Sequence, residues 1–387
     1  MTHIHWLGAG LSSVPGIRRL VEQGHNITVW NRTLEKAQEA VAGLDGSFDA
    51  RSFSLEEFED TLKAGDVAVS MLPGDFHPIV AKICLHVGAH FVSSSYISPE
   101  MKGLEAAAKD KGLSLVNEVG LDPGIDHLMA HALVDDYRKS DAFSAENEHY
   151  FKSYCGGLSE EPNDFCYKFS WSPLGVLKAL RSPSKSIRDG KEFDVDRPWN
   201  AVEAYAAALP KGEEVFEVYP NRDSLPYVDE YGFGDGMNVQ QFVRGTLRYN
   251  GWSKAWAHIF AEVETLEGEA GDQRLSEMSN DLWDKYAVGD DEADRVVLSV
   301  DLCAKKDGKE VYNRSYLMDA YGDKNHTAMA RLVSIPVSYA VEGIMNGEFT
   351  PGVHAAPSDP AIASAWISKL KENGEDMVIV DHLSARN

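Results

Sequence analysis

A short apolar run at residues 3–7 leads at once into Gly8-Ala9-Gly10, and the chain then turns helical. So close to a strand exit, that pattern leaves few folds open. Gly8 permits a tight turn, and Gly10 lets the backbone approach a diphosphate. The start of the following helix offers unpaired N–H groups and the positive end of its dipole. A helix is expected from Leu11 to Gln23, with Gly24 as its stop, and a second strand at 27–30. Leu11, Ser12 and Ser13 complete the turn, and Ser13 stands where the fingerprint usually has a third glycine. Strand, glycine turn, helix and strand together open a dinucleotide-binding (Rossmann) domain.

The end of the second strand selects the cofactor. An acidic residue there would bond the ribose 2′-hydroxyl of NAD. The residues are instead Asn31, Arg32 and Thr33, and Arg32 suits the 2′-phosphate of NADP. NADP is therefore expected; Glu35, one turn on, leaves NAD possible. A strand at 67–71 ends in Leu72, Pro73 and, further on, His77, a loop placed to cover the nicotinamide half of the cofactor. A strand at 89–92 ends in three serines and Tyr96, and a strand at 113–116 runs into residues 117–127, NEVGLDPGIDH. Open α/β sheets bind ligands at the carboxyl ends of their strands, so these polar exits point to one crevice. Asp122 is the candidate acid–base group, since a half-buried carboxylate beside a cofactor can be tuned by desolvation. Tyr96 offers a hydroxyl and an aromatic wall. Asp126 is expected to cap a helix at 126–138, and His127 to be a satisfied helix histidine.

From about residue 143 the pattern changes to strands with long loops, at 148–154, 168–171, 215–219 and 241–249. This predicts an α/β chain of two domains. Residues 1–124 are expected to form the Rossmann domain, and residues 125–387 an α+β domain with a largely antiparallel sheet for substrate binding and dimerisation. Further expectations are an acidic loop at 287–294, a late hairpin around Asp307-Gly308, and an apolar helix at 327–346 long enough to pack back on the first domain.

Arg222, Arg244 and Arg248 cluster near strand ends in a chain whose net charge is −24. Arginine pairs with carboxylates in a planar, bidentate way, so an island of three suits a substrate with several carboxylates. The acidic balance argues against nucleic acid or an anionic membrane as partner. The four cysteines form no CxxC pair, so no zinc ribbon or disulfide framework is expected. Cys155, before two glycines, reads equally as a packing residue or a site thiol. His127 and His131 are four apart, but the histidines are scattered and no metal is expected. No apolar run of membrane-spanning length and no signal-peptide layout are apparent, and a cytoplasmic protein is expected.

Six stretches together resemble the saccharopine reductase family, the glutamate-forming saccharopine dehydrogenases. They are SYISP (95–99), NEVGLDPGIDHL (117–128), SYCGGL (153–158), YKFSWS (167–172), YPNRDS (219–224) and RGTLRY (244–249), in the family's order along nearly the whole chain. The resemblance implies interconversion of saccharopine with L-glutamate and 2-aminoadipate 6-semialdehyde in lysine metabolism, with NADP or NAD. It implies a homodimer, an active site at Tyr96, Asp122 and Cys155, and substrate carboxylates held by Ser95, Tyr96, Asp122, Arg222, Thr246 and Arg248. The stretch 158–162 and the segment 187–225 depart from the family pattern. The alternative is a sister reductive-condensation enzyme, of the carboxynorspermidine dehydrogenase or lysine 6-dehydrogenase type. The arginines weigh against it, because a diamine substrate has no need of so many. A non-catalytic dinucleotide sensor would keep the glycines but would have no use for residues 117–127.

Overall fold

Six strands alternate with helices over the first 116 residues: β1 (Ile4–Leu7), β2 (Ile27–Asn31), β3 (Phe48–Ser52), β4 (Val67–Ser70), β5 (His90–Val92) and β6 (Ser114–Val116). A late strand, β15 (Gly352–His354), joins them beside β6. The computed structural model describes residues 2–234, 236–289 and 292–384. Among these, the first sheet has the order β15-β6-β5-β4-β1-β2-β3, and every pairing in it is parallel. A parallel sheet is covered on both faces, and accordingly β1 and β4 are buried along their whole length. Leu7, Trp30, Phe58, Val80, Phe91 and Leu115 pack into one apolar cluster. With residues 329–367, these elements form one unit of the chain, Met1–Leu128 plus Met329–Ile367.

The glycine turn is tight for a visible reason. Gly8 has φ +101°, and a Cβ there would lie 2.8 Å from the carbonyl oxygen of Met71. The helix after it starts at Val14 rather than Leu11, because residues 11–13 still belong to the turn. Close helix packing rests on Gly16, where a Cβ would meet the Ser334 carbonyl oxygen at 2.3 Å. Ser334 Oγ also accepts from the Gly16 N–H at 2.9 Å, and Arg19 reaches Ser338 Oγ (3.0 Å) and Glu342 (2.8 Å). These contacts seat the helix Ala328–Met345 on the helix Val14–Glu22. Contrary to expectation, that helix is long and apolar enough by composition to cross a membrane, but 72% of it is buried inside the protein. A buried face explains its apolar character.

The other unit, Met129–Ala328 plus Ser368–Asn387, is built on a mixed sheet. Its strands are β7 (Glu148–Ser159), β8 (Ser184–Arg188), β9 (Lys191–Val195), β10 (Glu203–Leu209), β11 (Gly212–Pro220), β12 (Asn238–Tyr249), β13 (Asp294–Lys306), β14 (Lys309–Tyr321) and β16 (Met377–Asp381). The main order is β10-β11-β12-β7-β13-β14-β16, with β8 on β12 and β9 on β8. Only β12 and β7 run parallel; the other described pairings are antiparallel, so the fold class is α/β followed by α+β. Phe216, Val243, Leu247, Val297 and Leu317 form one cluster of this unit. Tyr167, Phe169, Tyr219, Trp252 and Trp256 form another with the helices Pro173–Arg181 and Gly268–Tyr286.

Two expectations change here. Residues 168–171 do not form a strand: Phe169 makes a single bridge to Ala287 and is otherwise spent on packing. The late hairpin is much longer than expected, turning at Asp307 (φ 51°) and Gly308 (φ 73°), the two left-handed residues that a type I′ turn requires. Of the acidic loop at 287–294, Asp290 and Asp291 lie outside the described residues.

Gly16→Ala should lower stability by about 1–3 kcal/mol, because the methyl group meets backbone that has little freedom to shift. Gly10 has no atom within 4 Å of an added Cβ, so Gly10→Ala should unfold in urea like the parent. Equal midpoints for the parent and Gly16→Ala in urea unfolding would contradict the packing role.

Candidate active site

The five strand ends β1, β2, β4, β5 and β6 carry the residues singled out in the first unit. Gly8, Gly10, Leu11, Ser12 and Ser13 leave β1; Gly10 and Leu11 are exposed, and Ser13 is buried at the helix start. Asn31, Arg32 and Thr33 end β2. The Asn31 side chain is structural: its Oδ1 accepts the Ala9 N–H at 3.1 Å, and its amide donates to the Thr33 carbonyl at 2.9 Å. It thereby pins the glycine turn to the β2 end. Arg32 is exposed and makes no ion pair among the described residues. Open space at Gly10, the positive end of the helix dipole and this guanidinium fit a dinucleotide with a 2′-phosphate.

Leu72 and Pro73 follow β4, and the chain then enters the helix His77–Val87. His77 is buried; its Nδ1 lies 2.9 Å from Ser70 Oγ and its Nε2 2.8 Å from Ser95 Oγ. Burial pushes the imidazole down to about 4, so at neutral pH it is uncharged. With one ring nitrogen protonated, it orients the hydroxyl of Ser95 from a fixed point.

Tyr96 and Asp122 meet. The Tyr96 hydroxyl donates to Asp122 Oδ1 at 3.0 Å, joining the β5 and β6 exits, and both residues are half-buried. The Asp122-Pro123 peptide bond is cis. Asp126 does not cap the helix Ile125–Lys139 in the expected way. It sits inside the first turn and its Oδ1 reaches back to accept the Gly124 N–H at 2.7 Å, closing the Pro-Gly loop. His127 Nε2 lies 3.0 Å from Glu118 Oε2, with both residues buried. Glu118 was not singled out from sequence. Its one signal was an acidic residue two positions beyond an apolar strand.

The second unit presents a row of polar residues on β12. Arg244, Thr246 and Arg248 are two apart and therefore share a face of the sheet. Register sets Cys155 of β7 beside Thr246, with Tyr219 of β11 on its other side. The Arg248 guanidinium is buried among Tyr167 (4.8 Å), Tyr219 (5.7 Å) and Trp252 (5.7 Å). Its Nε has no hydrogen-bond partner among the described residues. Burial pushes the Tyr219 phenol up, and the adjacent Arg248 charge pulls it partly back. Arg244 is buried over the Tyr227 ring at 4.1 Å, and its backbone N–H donates to Ser224 Oγ at 3.0 Å. Arg222 is exposed on the turn after β11, with φ +57°. Cys155 is half-buried and its thiol is free of any disulfide. Glycines make this packing possible: a Cβ on Gly156 would lie 2.5 Å from the Leu247 carbonyl oxygen, and one on Gly245 2.5 Å from that of Tyr219.

The His77 imidazole generates a prediction. Its ordinary value is 6.5 and its folded value about 4, so between those pH values the unfolded chain binds more protons. Its contribution is fully present above pH 6.5 and is lost as pH falls towards 4, by up to about 3 kcal/mol. His77→Gln should therefore lose less Tm than the parent between pH 7 and pH 4.5. Parallel Tm profiles in a thermal scan would reject a neutral buried His77.

Residues 4–116 match the family described as saccharopine dehydrogenase NADP binding domain, and residues 120–375 the saccharopine dehydrogenase C-terminal domain. The chain is 30% identical to the saccharopine dehydrogenase [NADP(+), L-glutamate-forming] of Pyricularia oryzae, over 95% of this chain and 96% of that protein. It is 28% identical to the enzyme of the same name from Schizosaccharomyces pombe, over 97% and 98%. The solved structure of saccharopine dehydrogenase (L-Glu forming) from Saccharomyces cerevisiae superposes with a TM-score of 0.80 at 26% identity, covering 98% of this chain and all of that one. With both of its parts matched, and a full-length relative at that identity, the chain belongs to the saccharopine dehydrogenase family.

Proposed function

We propose that the chain is a saccharopine dehydrogenase of the L-glutamate-forming type. It interconverts saccharopine with L-glutamate and 2-aminoadipate 6-semialdehyde in lysine metabolism, with NADP as cofactor. The observation that carries this reading is the Tyr96–Asp122 hydrogen bond, at the strand ends of a dinucleotide-binding sheet. The full-length relatives of the same named activity support it.

The residues fit the chemistry. NADP, when bound, takes up the hydride from the carbon beside the secondary amine. The lone pair of that amine must be free, and the Asp122 carboxylate is suited to accept its proton. Water then adds across the C=N bond, and the carbinolamine breaks into amine and aldehyde. These steps need a group that gives and takes protons, and a carboxylate such as Asp122, held by the Tyr96 hydroxyl, is suited to that role. Ser95, oriented by His77, offers a hydrogen bond to a substrate carboxylate. In the second unit, Arg248 holds a buried donor with no partner, and Thr246 and Arg244 stand in the same row. Saccharopine has three carboxylates, which gives such a row a purpose that a diamine would not. For Cys155, in register with Thr246, the role we propose is a small polarisable wall for the substrate rather than a nucleophile, since the reaction forms no acyl intermediate.

We also propose a cytoplasmic homodimer. Four free thiols suit a reducing compartment, and the homodimer follows the family resemblance.

Mixing the purified protein with saccharopine and NADP should raise the reduced-nicotinamide absorbance, and lysine or glutamate alone should not. No reduction, from protein that still binds NADP, would reject this function in favour of a sister enzyme. Arg32→Ala should raise the KM for NADP about 10- to 100-fold, the loss of one charge-assisted contact, and leave that for NAD unchanged. Asp122→Ala should lower kcat by roughly 10²–10⁴-fold while NADP affinity holds. Both are read from steady-state kinetics.

A further inference from the structure

Glu118 occupies a position that a glutamate adopts only under constraint. It leaves β6 with φ +54°, in the left-handed region, where a non-glycine residue is uncommon. It is also buried, at 4% exposure, where a carboxylate is costly without partners. Its contacts fall in one pattern. The backbone N–H donates to the Ser95 carbonyl oxygen at 3.1 Å. Carboxylate Oε1 accepts the Ile97 N–H at 2.8 Å. These two partners are the residues on either side of Tyr96. The other oxygen, Oε2, lies 3.0 Å from His127 Nε2, on the helix that begins directly after the Asp122-Pro123-Gly124 turn.

One residue thus grips the backbone on both sides of Tyr96 and the helix that anchors Asp122. We infer that Glu118 is the positioning residue that sets the Tyr96–Asp122 hydrogen bond, with His127 as its second anchor. Neither touches the reacting atoms. A carboxylate suits the task because its two oxygens diverge, so one side chain ties two separate segments. The left-handed backbone is what brings that side chain back under the Tyr96 loop, as observed strain at such a site often does. The inference rests on the function proposed above only in the kinetic part of its test.

That test is a double-mutant cycle between Glu118→Ala and Tyr96→Phe, with the crystal structure of the Glu118→Ala variant. Glu118→Ala should lower kcat with saccharopine by about 10²-fold, the cost of a displacement near 1 Å, while KM for NADP changes less than about twofold. Adding Tyr96→Phe should then cost almost nothing more, although it is costly in the parent, because both changes break the same hydrogen bond. Glu118→Gln keeps an oxygen for the Ile97 N–H and an amide for His127, and should restore most of the rate. Glu118→Asp is too short to span both partners and should behave like Ala; it replaces Ala in the cycle if that variant does not fold. In the crystal the Tyr96 hydroxyl should have left Asp122. Additive kinetic losses, or a Tyr96–Asp122 contact unchanged in the variant, would overturn the inference. If the parent itself does not turn over saccharopine, the proposed function fails, and the variant's Tyr96–Asp122 distance still decides the role of Glu118.

Discussion

In the first unit, everything depends on all seven strands of one sheet running the same way. Parallel strands end together, so the turns after β1, β2, β4, β5 and β6 line a single edge. Helix starts lie there too, with the positive ends of their dipoles. A chemistry-bearing residue at any of these exits is therefore brought near the others without a dedicated contact. This is why Arg32, His77, Ser95, Tyr96 and Asp122, spread over ninety positions, belong to one neighbourhood. What remains for individual side chains is fine placement. Asn31 ties the glycine turn to the end of β2, His77 ties β4 to Ser95, and Glu118 ties β5 to β6.

The second unit solves a different problem with a different sheet. Buried arginines need a rigid, closely packed setting, because an unmatched guanidinium donor in an apolar interior is expensive. Strands β11, β12 and β7 provide it. Gly245 and Gly156 let neighbouring backbone and rings approach where any side chain would collide. Tyr167, Tyr219 and Trp252 then surround the Arg248 cation with ring faces. Ring faces attract a cation without using up its N–H groups; one of these donates to the Leu247 carbonyl at 3.1 Å, and Nε has no hydrogen-bond partner among the described residues.

Much of this was legible in the sequence because it is local. Gly8, Gly10 and the following helix show a dinucleotide turn in consecutive residues, and Arg244 and Arg248 lie within one legible strand run at 241–249. What was hidden is long-range. Gly16 looks like any helix glycine until Ser334, more than three hundred residues away, is placed against it. It carries the close-packing duty that the fingerprint assigns to a glycine at Ser13. Residues 168–171 alternate as a strand would, yet Phe169 is consumed by the aromatic cluster, so tertiary packing overrides the local pattern. Asp126 was misread because a carboxylate at a helix start normally accepts from the next turn. Here the Pro-Gly loop before it holds the needier N–H, that of Gly124. The role of Glu118 is hidden for a related reason: its partners are defined by how two loops approach, and no spacing rule records that.

The charge balance follows from the same division of labour. A net charge of −24 would repel a tricarboxylate if the charges acted as a smooth whole. They do not, because exposed charges are screened within about 8 Å at physiological salt. Buried Arg248 and Arg244 act in a medium where screening is weak and each hydrogen bond counts for more. Arginine suits this better than lysine. Its planar cation stacks on Tyr227 or among the rings around Arg248, sheds its hydration more readily, and still presents a fork that matches a carboxylate. A buried donor left without a partner, as the Nε of Arg248 is among the described residues, costs stability. The net charge thus describes the exposed surface, while these two cations sit out of reach of water.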